Sequence, residues 1–365
     1  MKIAYVITRS DEVGGAHIHV RDMALWMMSK GHDVKVFVGG SGVYCERLKS
    51  AGVNYTSLDF LSRPISILRD YRAYKELCSH LNAFSPDLVS AHSAKAGLIA
   101  RLVCKRHSIK CIFTAHGWAF ADGVRRPMRD IYLFLERKLA NYCNKIITVC
   151  ENDRALAIRY GVGNQNKVIA VHNGMPEIPL DLVASPDKES PRLIMIARFE
   201  AQKDHLSLIQ ALSSLRHLPW TLDLIGEGDL QSNIQNMIAQ LGLSSRVNFL
   251  GRRWDIAQVL SGADIFVLSS FWEGFPRSII EAMRGGLPVV ATDVAGVSEA
   301  VIDSVTGLLV KSGDANDLKN KLELLILNPE LRHRMGVDSR ERYLKYFTFE
   351  IMATKTLSVY LEALK

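Results

Sequence analysis

The residues with the most chemistry in them lie in one stretch, Ser270-Phe271-Trp272-Glu273-Gly274-Phe275-Pro276-Arg277-Ser278-Ile279-Ile280-Glu281. Residues 265–269 read as a strand and 277–284 as a helix, which leaves Glu273 in the loop between them. Pro276 suits a first helical turn, where its missing N–H goes unmissed. Gly274 and Phe275 then offer backbone N–H groups to an anion at the helix start. Glu281 follows Glu273 by eight residues, ~12 Å of rise in a helix. Two carboxylates so spaced can hold hydroxyls at both ends of a nucleotide sugar, across its diphosphate.

Other loops carry matching groups. Arg198 and Lys203 follow a strand over 193–197, and two cations in one strand-to-helix loop can clamp adjacent phosphates. Gly226 lies in Gly226-Glu227-Gly228-Asp229 and Arg252 in Gly251-Arg252-Arg253, each after a strand. Both loops are candidates for a nucleobase pocket. Gly14 and Gly15 follow the first strand and open the first helix. Adjacent glycines let a diphosphate or a sugar hydroxyl approach the backbone. His116, in Thr114-Ala115-His116-Gly117-Trp118, ends another strand and can donate to a sugar hydroxyl or act as acid or base. His92 ends the strand before it and has the same choice.

Several chemistries are missing from the chain. It has no Walker A sequence, no H-E-x-x-H and no G-x-S-x-G, and the Gly14-Gly15 turn lacks the third glycine of a dinucleotide fingerprint. No Asp-x-Asp occurs, so a divalent metal chelated that way under a diphosphate is not expected. The six cysteines include no C-x-x-C pair, which speaks against a thiolate zinc site and for reduced, packed thiols.

These residues need a scaffold that brings strand ends together. The 365 residues, 48% hydrophobic and 23% charged, fit two soluble domains. Short apolar strands alternate with amphipathic segments over 1–174, and the pattern begins again over 192–348. That rhythm indicates two doubly wound α/β units with parallel sheets, facing a cleft lined by strand C-terminal ends. Residues 175–191 hold four of the eleven prolines and read as a linker. The amphipathic segment 349–365 is expected to form a last helix that crosses back to the first domain. No apolar run approaches the ~20 residues of a membrane span. The opening strand is too short for a signal peptide, so a cytoplasmic location is expected.

Charge is unevenly shared. Residues 1–180 carry 25 Lys and Arg against 15 Asp and Glu, whereas 181–365 carry 20 against 23. A basic first half suits anionic partners.

The set Gly14-Gly15, His116, Arg198 with Lys203, and Glu273-x7-Glu281 resembles the family 4 glycosyltransferases, retaining enzymes of the two-Rossmann-domain (GT-B) architecture. The resemblance runs over about residues 2–350 and is strongest over 192–310. It implies that Arg198 and Lys203 bind the donor diphosphate and stabilise its developing charge. Glu273 would lie beneath the donor sugar with the amides of Gly274 and Phe275, Glu281 would hold the ribose, and His116 would contact the sugar. It implies no metal and no cofactor beyond the nucleotide-sugar donor. UDP is the favoured nucleotide, a hexose or N-acetylhexosamine the favoured sugar, and a polyprenyl-diphosphate-linked saccharide the favoured acceptor, as in O-antigen biosynthesis. An anionic membrane surface is the expected partner of the basic first domain, through Arg125-Arg126-Pro127-Met128-Arg129 and Lys105-Arg106 beside Trp118 and Phe120. Nucleic acid is not expected, since no recognised motif accompanies the basic residues. Two rivals remain: an epimerase acting on UDP-N-acetylglucosamine, and a nucleotide-sugar-binding protein without turnover.

Overall fold

The computed structural model describes residues 1–121 and 126–365 and divides into two units. The first comprises Met1–Asn173 with Met352–Lys365, and the second Gly174–Ile351. Each is a parallel sheet with helices between successive strands, the doubly wound class expected from the alternating pattern.

In the first unit the chain runs β1 (Lys2–Ile7), α1 (Gly15–Ser29), β2 (Asp33–Gly39), α2 (Val43–Ser50), β3 (Tyr55–Leu58), α3 (Ile67–Phe84) and β4 (Leu88–His92). It continues through α4 (Ala94–His107), β5 (Lys110–Ala115), α5 (Met128–Leu139), β6 (Lys145–Thr148), α6 (Glu151–Arg159) and β7 (Val168–Ala170). The seven strands lie in the order β3-β2-β1-β4-β5-β6-β7. Strand order reverses between β1 and β4, so their C-terminal ends flank the point where open α/β sheets bind ligands. All of β4 is buried, as a strand covered on both faces must be.

The second unit contains β8 (Arg192–Ile196), α7 (His205–Ser214), β9 (Thr221–Ile225), α8 (Gln231–Gln240), β10 (Val247–Gly251), α9 (Ile256–Ser261) and β11 (Ile265–Leu268). Next come α10 (Arg277–Arg284), β12 (Val289–Thr292), α11 (Val297–Ala300), β13 (Gly307–Val310), α12 (Ala315–Leu327) and α13 (Pro329–Tyr346). The order β10-β9-β8-β11-β12-β13 puts its reversal between β8 and β11, which pair through Ile265 with Leu193 and Phe266 with Ile194. Asp204 caps α7 by accepting from the Ser207 amide at 3.1 Å, one of the helix-start contacts that fix loop ends. The final helix, α14 (Phe349–Leu364), belongs from Met352 onward to the first unit.

Differences from the sequence reading are local. α2, β3 and α11 were not expected. α2 and α11 are short, and β3 is a four-residue edge strand with one buried side chain, so none shows a clear period. α5 ends at Leu139 and tightens into a 3₁₀ turn, Ala140–Tyr142. Pro276 precedes α10 as its N-cap instead of entering the first turn. Five cysteines are buried, Cys78 is partly so, and all six are free thiols.

Candidate active site

In the second unit the candidate residues gather where strand order reverses. The β8–α7 loop carries Arg198 and Lys203, and the β11–α10 loop carries Glu273, Gly274 and Phe275. Backbone bonds lace the two loops together: the Asp204 amide donates to Ser269 O at 3.0 Å and the Phe271 amide to Gln202 O at 2.9 Å. Gln202 Nε2 adds a 2.6 Å bond to Trp272 O.

Lys203 and Glu273 form an ion pair across these loops, with side chains only 14% and 7% exposed. Ser270 Oγ donates to the same carboxylate oxygen, Oε1, at 2.7 Å. Ser270 is itself pinned, since its amide donates to Thr292 Oγ1 at 2.9 Å and Thr292 Oγ1 donates back to its carbonyl at 2.8 Å. A shielded ammonium and carboxylate thus sit on a rigid base at the sheet's reversal point.

Arg198 shares the loop but not the pair. It bonds Glu200 at 2.7 Å and is about half exposed. The expected clamp of two cations is therefore split between two carboxylates, Glu200 for Arg198 and Glu273 for Lys203. Ser270 and Glu200 escaped the sequence reading. Ser270 precedes Glu273 by three residues, but no motif marks a serine of that kind.

Glu281 lies in α10 between Arg277 and Arg284, and among the described residues its carboxylate makes no hydrogen bond or close ion pair. Burial pushes its carboxyl above the usual range, while the two arginines pull it down. Gly274 O accepts from the Gly296 amide at 3.0 Å, and Phe275 is buried against Phe347 at 5.4 Å.

Gly226 has φ +143°, and a Cβ there would stand 2.0 Å from Ala197 O. The β9 loop must press against the end of β8, which a side chain would prevent. Arg252 reaches Glu227 of that loop at 3.2 Å, and both side chains are largely exposed. His205 stacks on Phe199 at 4.5 Å and contacts Lys203 O from Nδ1 at 2.7 Å. Burial lowers its pKa to about 4, so it is neutral and its Nδ1–H donates to that carbonyl.

The first unit holds the other candidates. Gly14 is the N-cap of α1, and its amide donates to His17 Nδ1 at 3.2 Å. His17 Nε2 donates in turn to Arg9 O at 2.9 Å. One amide of the glycine turn is thus already used, by a histidine the sequence reading passed over. Gly15 begins the helix and is exposed. His116 follows β5, is half-buried, and lies 3.0 Å through Nε2 from His92 Nδ1.

Trp118 and Phe120 correct an expectation. Both are buried and stacked at 4.9 Å, and Trp118 Nε1 donates to Asp153 O at 2.9 Å. They are core and cannot meet a membrane. Of the basic stretch expected beside them, Arg125 lies outside the described residues, Arg126 is exposed, and Arg129 is partly covered and bonded to Tyr160.

Two parallel-sheet units with a cation–carboxylate pair and a helix start at the second reversal point define a nucleotide-sugar glycosyltransferase of the GT-B class. Comparison with known proteins agrees. Residues 14–174 match the glycosyl transferase 4-like domain, and residues 183–342 match glycosyl transferases group 1. The chain belongs to the family 4 glycosyltransferases. It is 30% identical over 291 residues to EpsD of Bacillus subtilis, which carries a glycosyltransferase name, covering 75% of this chain and 76% of that one. It is 24% identical to the UDP-Gal:alpha-D-GlcNAc-diphosphoundecaprenol alpha-1,3-galactosyltransferase of Escherichia coli, covering 99% and 97%. HepE of Anabaena, solved with UDP and glucose, shares the fold with a TM-score of 0.86 at 21% identity, over 99% of this chain and all of that one.

Proposed function

We propose that the protein transfers a hexosyl or N-acetylhexosaminyl group from a UDP-linked donor to a saccharide on a polyprenyl diphosphate, with retention of configuration. The observation that carries this reading is the shielded Lys203–Glu273 pair, held by Ser270, at the reversal point of the second sheet. Breaking a glycosyl phosphate builds negative charge on the departing diphosphate and positive charge on the anomeric carbon. Lys203 and Arg198 stabilise the first, aided by the amides of Gly274 and Phe275 ahead of α10. Glu273 lies under the sugar and favours the second. Glu281, whose carboxylate lies between Arg277 and Arg284 on α10, accepts from the ribose hydroxyls. Gly226 and Arg252 border the base, while Gly14, Gly15 and His116 serve the sugar side from the first unit. The acceptor oxygen attacks the face the phosphate leaves, the C1–O(phosphate) bond breaks as the new C1–O bond forms, and the acceptor proton passes to the departing phosphate.

The positive groups for this task are side chains, so the reaction is metal-independent in this reading. Turnover is expected to survive exhaustive treatment with EDTA; loss that Mg²⁺ restores would refute that part.

The E. coli relative is named for a GlcNAc-diphosphoundecaprenol acceptor, and this chain carries a surface suited to such a lipid-borne substrate. α5 exposes Met128, Ile131, Phe134 and Leu135, residues that recur along one side of a helix. Arg126 stands before it and Lys138 near its end, and α4 alongside exposes Leu102, Lys105 and Arg106. Apolar side chains ringed by cations fit the interface of an anionic bilayer. The protein is placed on the cytoplasmic membrane surface by this reading.

The deciding experiment supplies UDP-sugars with a polyprenyl-diphosphate N-acetylhexosamine and follows UDP release, product mass and anomeric configuration. Acceptor-dependent UDP release with an α-product from an α-donor is expected. Free epimer formed without acceptor would favour an epimerase. UDP binding without turnover, with cellular function intact in Glu273→Ala, would favour a binding protein.

A further inference from the structure

Among the described residues of the first unit, the three most exposed large apolar side chains are neighbours. Ile65 is 73% exposed, Ile67 86% and Leu68 78%. They lie just before α3 and on its first turn, and Tyr71 follows one turn later at 58%. Single exposed apolar residues are ordinary, but a contiguous set marks a surface that meets something.

This set is held out rigidly. Lys95 Nζ donates to both Asp70 oxygens at 2.6 Å and to Pro64 O at 3.0 Å. The Ser66 amide donates to Asp70 Oδ2 at 3.2 Å. Arg69 donates to the carbonyls of Asp59 and Phe60 at 3.1 and 3.2 Å. Glu76 accepts from the amides of the same two residues at 2.7 and 3.1 Å. Ala73, Leu77 and Leu81 bury the other side of α3. Lys95 is the second residue of α4, just past the end of β4. Its ion pair therefore ties the apolar set to the β1–β4 reversal, the ligand end of the first sheet.

The charges around the set are of one sign. Between residues 62 and 75 stand Arg63, Arg69, Arg72 and Lys75 against Asp70 alone, and Lys95 already balances Asp70. Arg72 lies over the Phe60 ring and Lys75 over Tyr71. Arg63 is exposed and makes no ion pair among the described residues. An apolar strip beside an unpaired cation matches an amphiphile with an apolar tail and an anionic head.

We propose that Ile65, Ile67, Leu68 and Tyr71 bind the first isoprene units of the acceptor's tail, with Arg63 towards its diphosphate. This rests on the reading that the acceptor is carried on polyprenyl diphosphate. It gives the tail a site of its own, apart from the α5 surface proposed to meet the bilayer. The set is then a specificity device: it favours a lipid-borne saccharide over a free one and takes no part in the transfer itself.

Two measurements on the whole protein, both without vesicles, test this. Calorimetric titration compares geranylgeranyl diphosphate, kept below micelle formation, with inorganic diphosphate. Wild type is expected to bind the prenyl compound on the order of 10-fold more tightly. Ile67→Gln with Leu68→Gln changes only water-facing side chains, and it should abolish that advantage with UDP affinity unchanged. In turnover, a farnesyl-diphosphate-linked N-acetylhexosamine is compared with its methyl-diphosphate counterpart. The double variant should raise KM for the farnesyl acceptor on the order of 10-fold, with kcat, donor KM and the methyl acceptor within about 2-fold of wild type. Equal wild-type affinity for prenyl and inorganic diphosphate overturns the proposal, and that measurement needs no variant to fold. A variant that keeps the prenyl advantage overturns it too, and if that variant has lost vesicle binding the set belongs to the bilayer. Prenyl binding that the variant abolishes, without turnover on any prenyl diphosphate acceptor, would uphold the tail site and refute the acceptor reading.

Discussion

Lys203 is asked to do two things, and substitutions can separate them. It balances a carboxylate that is almost wholly shielded, and in the proposed reaction it meets the leaving diphosphate. Lys203→Ala is expected to lower kcat by roughly 10²–10³, the usual loss for one preorganised charge contact. It also strands Glu273, and breaking a buried pair from one side costs on the order of 3 kcal/mol of stability. Lys203→Ala with Glu273→Gln should recover stability without recovering turnover, as read by urea unfolding beside UDP release. Recovery of both would mean that the pair is only structural. Arg198→Ala is expected to slow turnover with little change in stability, because its bond to Glu200 is solvent-exposed and such pairs contribute about 0–1 kcal/mol.

At the scale of elements, the loops after β1 and β9 use glycine for different reasons. Gly226→Ala forces a Cβ onto Ala197 O at a positive φ, and a loss of roughly 3 kcal/mol is expected in thermal or urea unfolding. Gly14 has φ −112°, and the nearest atom to an added Cβ is His17 Nδ1 at 3.9 Å. The fold has room for alanine there, at about 1 kcal/mol for a poorer N-cap. A large fall in turnover in a well-folded Gly14→Ala would therefore report close approach of a ligand; wild-type turnover would leave the glycine without that role. The same contrast shows what could be read beforehand. Strand–loop–helix order, the doubly wound class and the loops holding Arg198, Lys203 and Glu273 were legible because each depends on a few neighbouring residues. The Lys203–Glu273–Ser270 grouping depends on which strands adjoin at the reversal, and Tyr360 reaches Ser90 from the far end of the chain. No local period encodes either. Trp118 and Phe120 misled for a related reason: aromatic residues near cations look the same in sequence whether they face lipid or core.

Over the whole molecule, titration and surface charge set how the protein responds to its medium. His17, His92 and His205 all have imidazoles made less basic mainly by burial, His205 down to about 4. Each takes up a proton more readily once unfolded, where an imidazole titrates near 6.5. Their contribution is complete above that value and is lost as pH falls through the folded-state values. Unfolding free energy from urea titrations is expected to drop between pH 7 and pH 4.5, and His205→Gln should flatten the drop in the second unit; a stability that rises over that interval would contradict these burials. Charge acts at longer range. Residues 1–180 account for the positive excess, and net charge is +7, but Arg101 is buried against Glu136 at 2.7 Å and adds nothing outward. Lys105, Arg106, Arg126 and Lys138 are among the cations that face water, and they lie around α4 and α5, with Phe134 the most exposed large apolar side chain on α5. Vesicles containing phosphatidylglycerol should bind the protein at low ionic strength, and binding should weaken as the Debye length shrinks from about 10 Å at 0.1 M to about 3 Å at 1 M salt. Phe134→Asp removes apolar area and adds like charge to the lipid, so it should abolish whatever binding survives high salt. Equal binding to neutral and anionic vesicles, unmoved by Phe134→Asp, would show that lipid is met elsewhere or not at all.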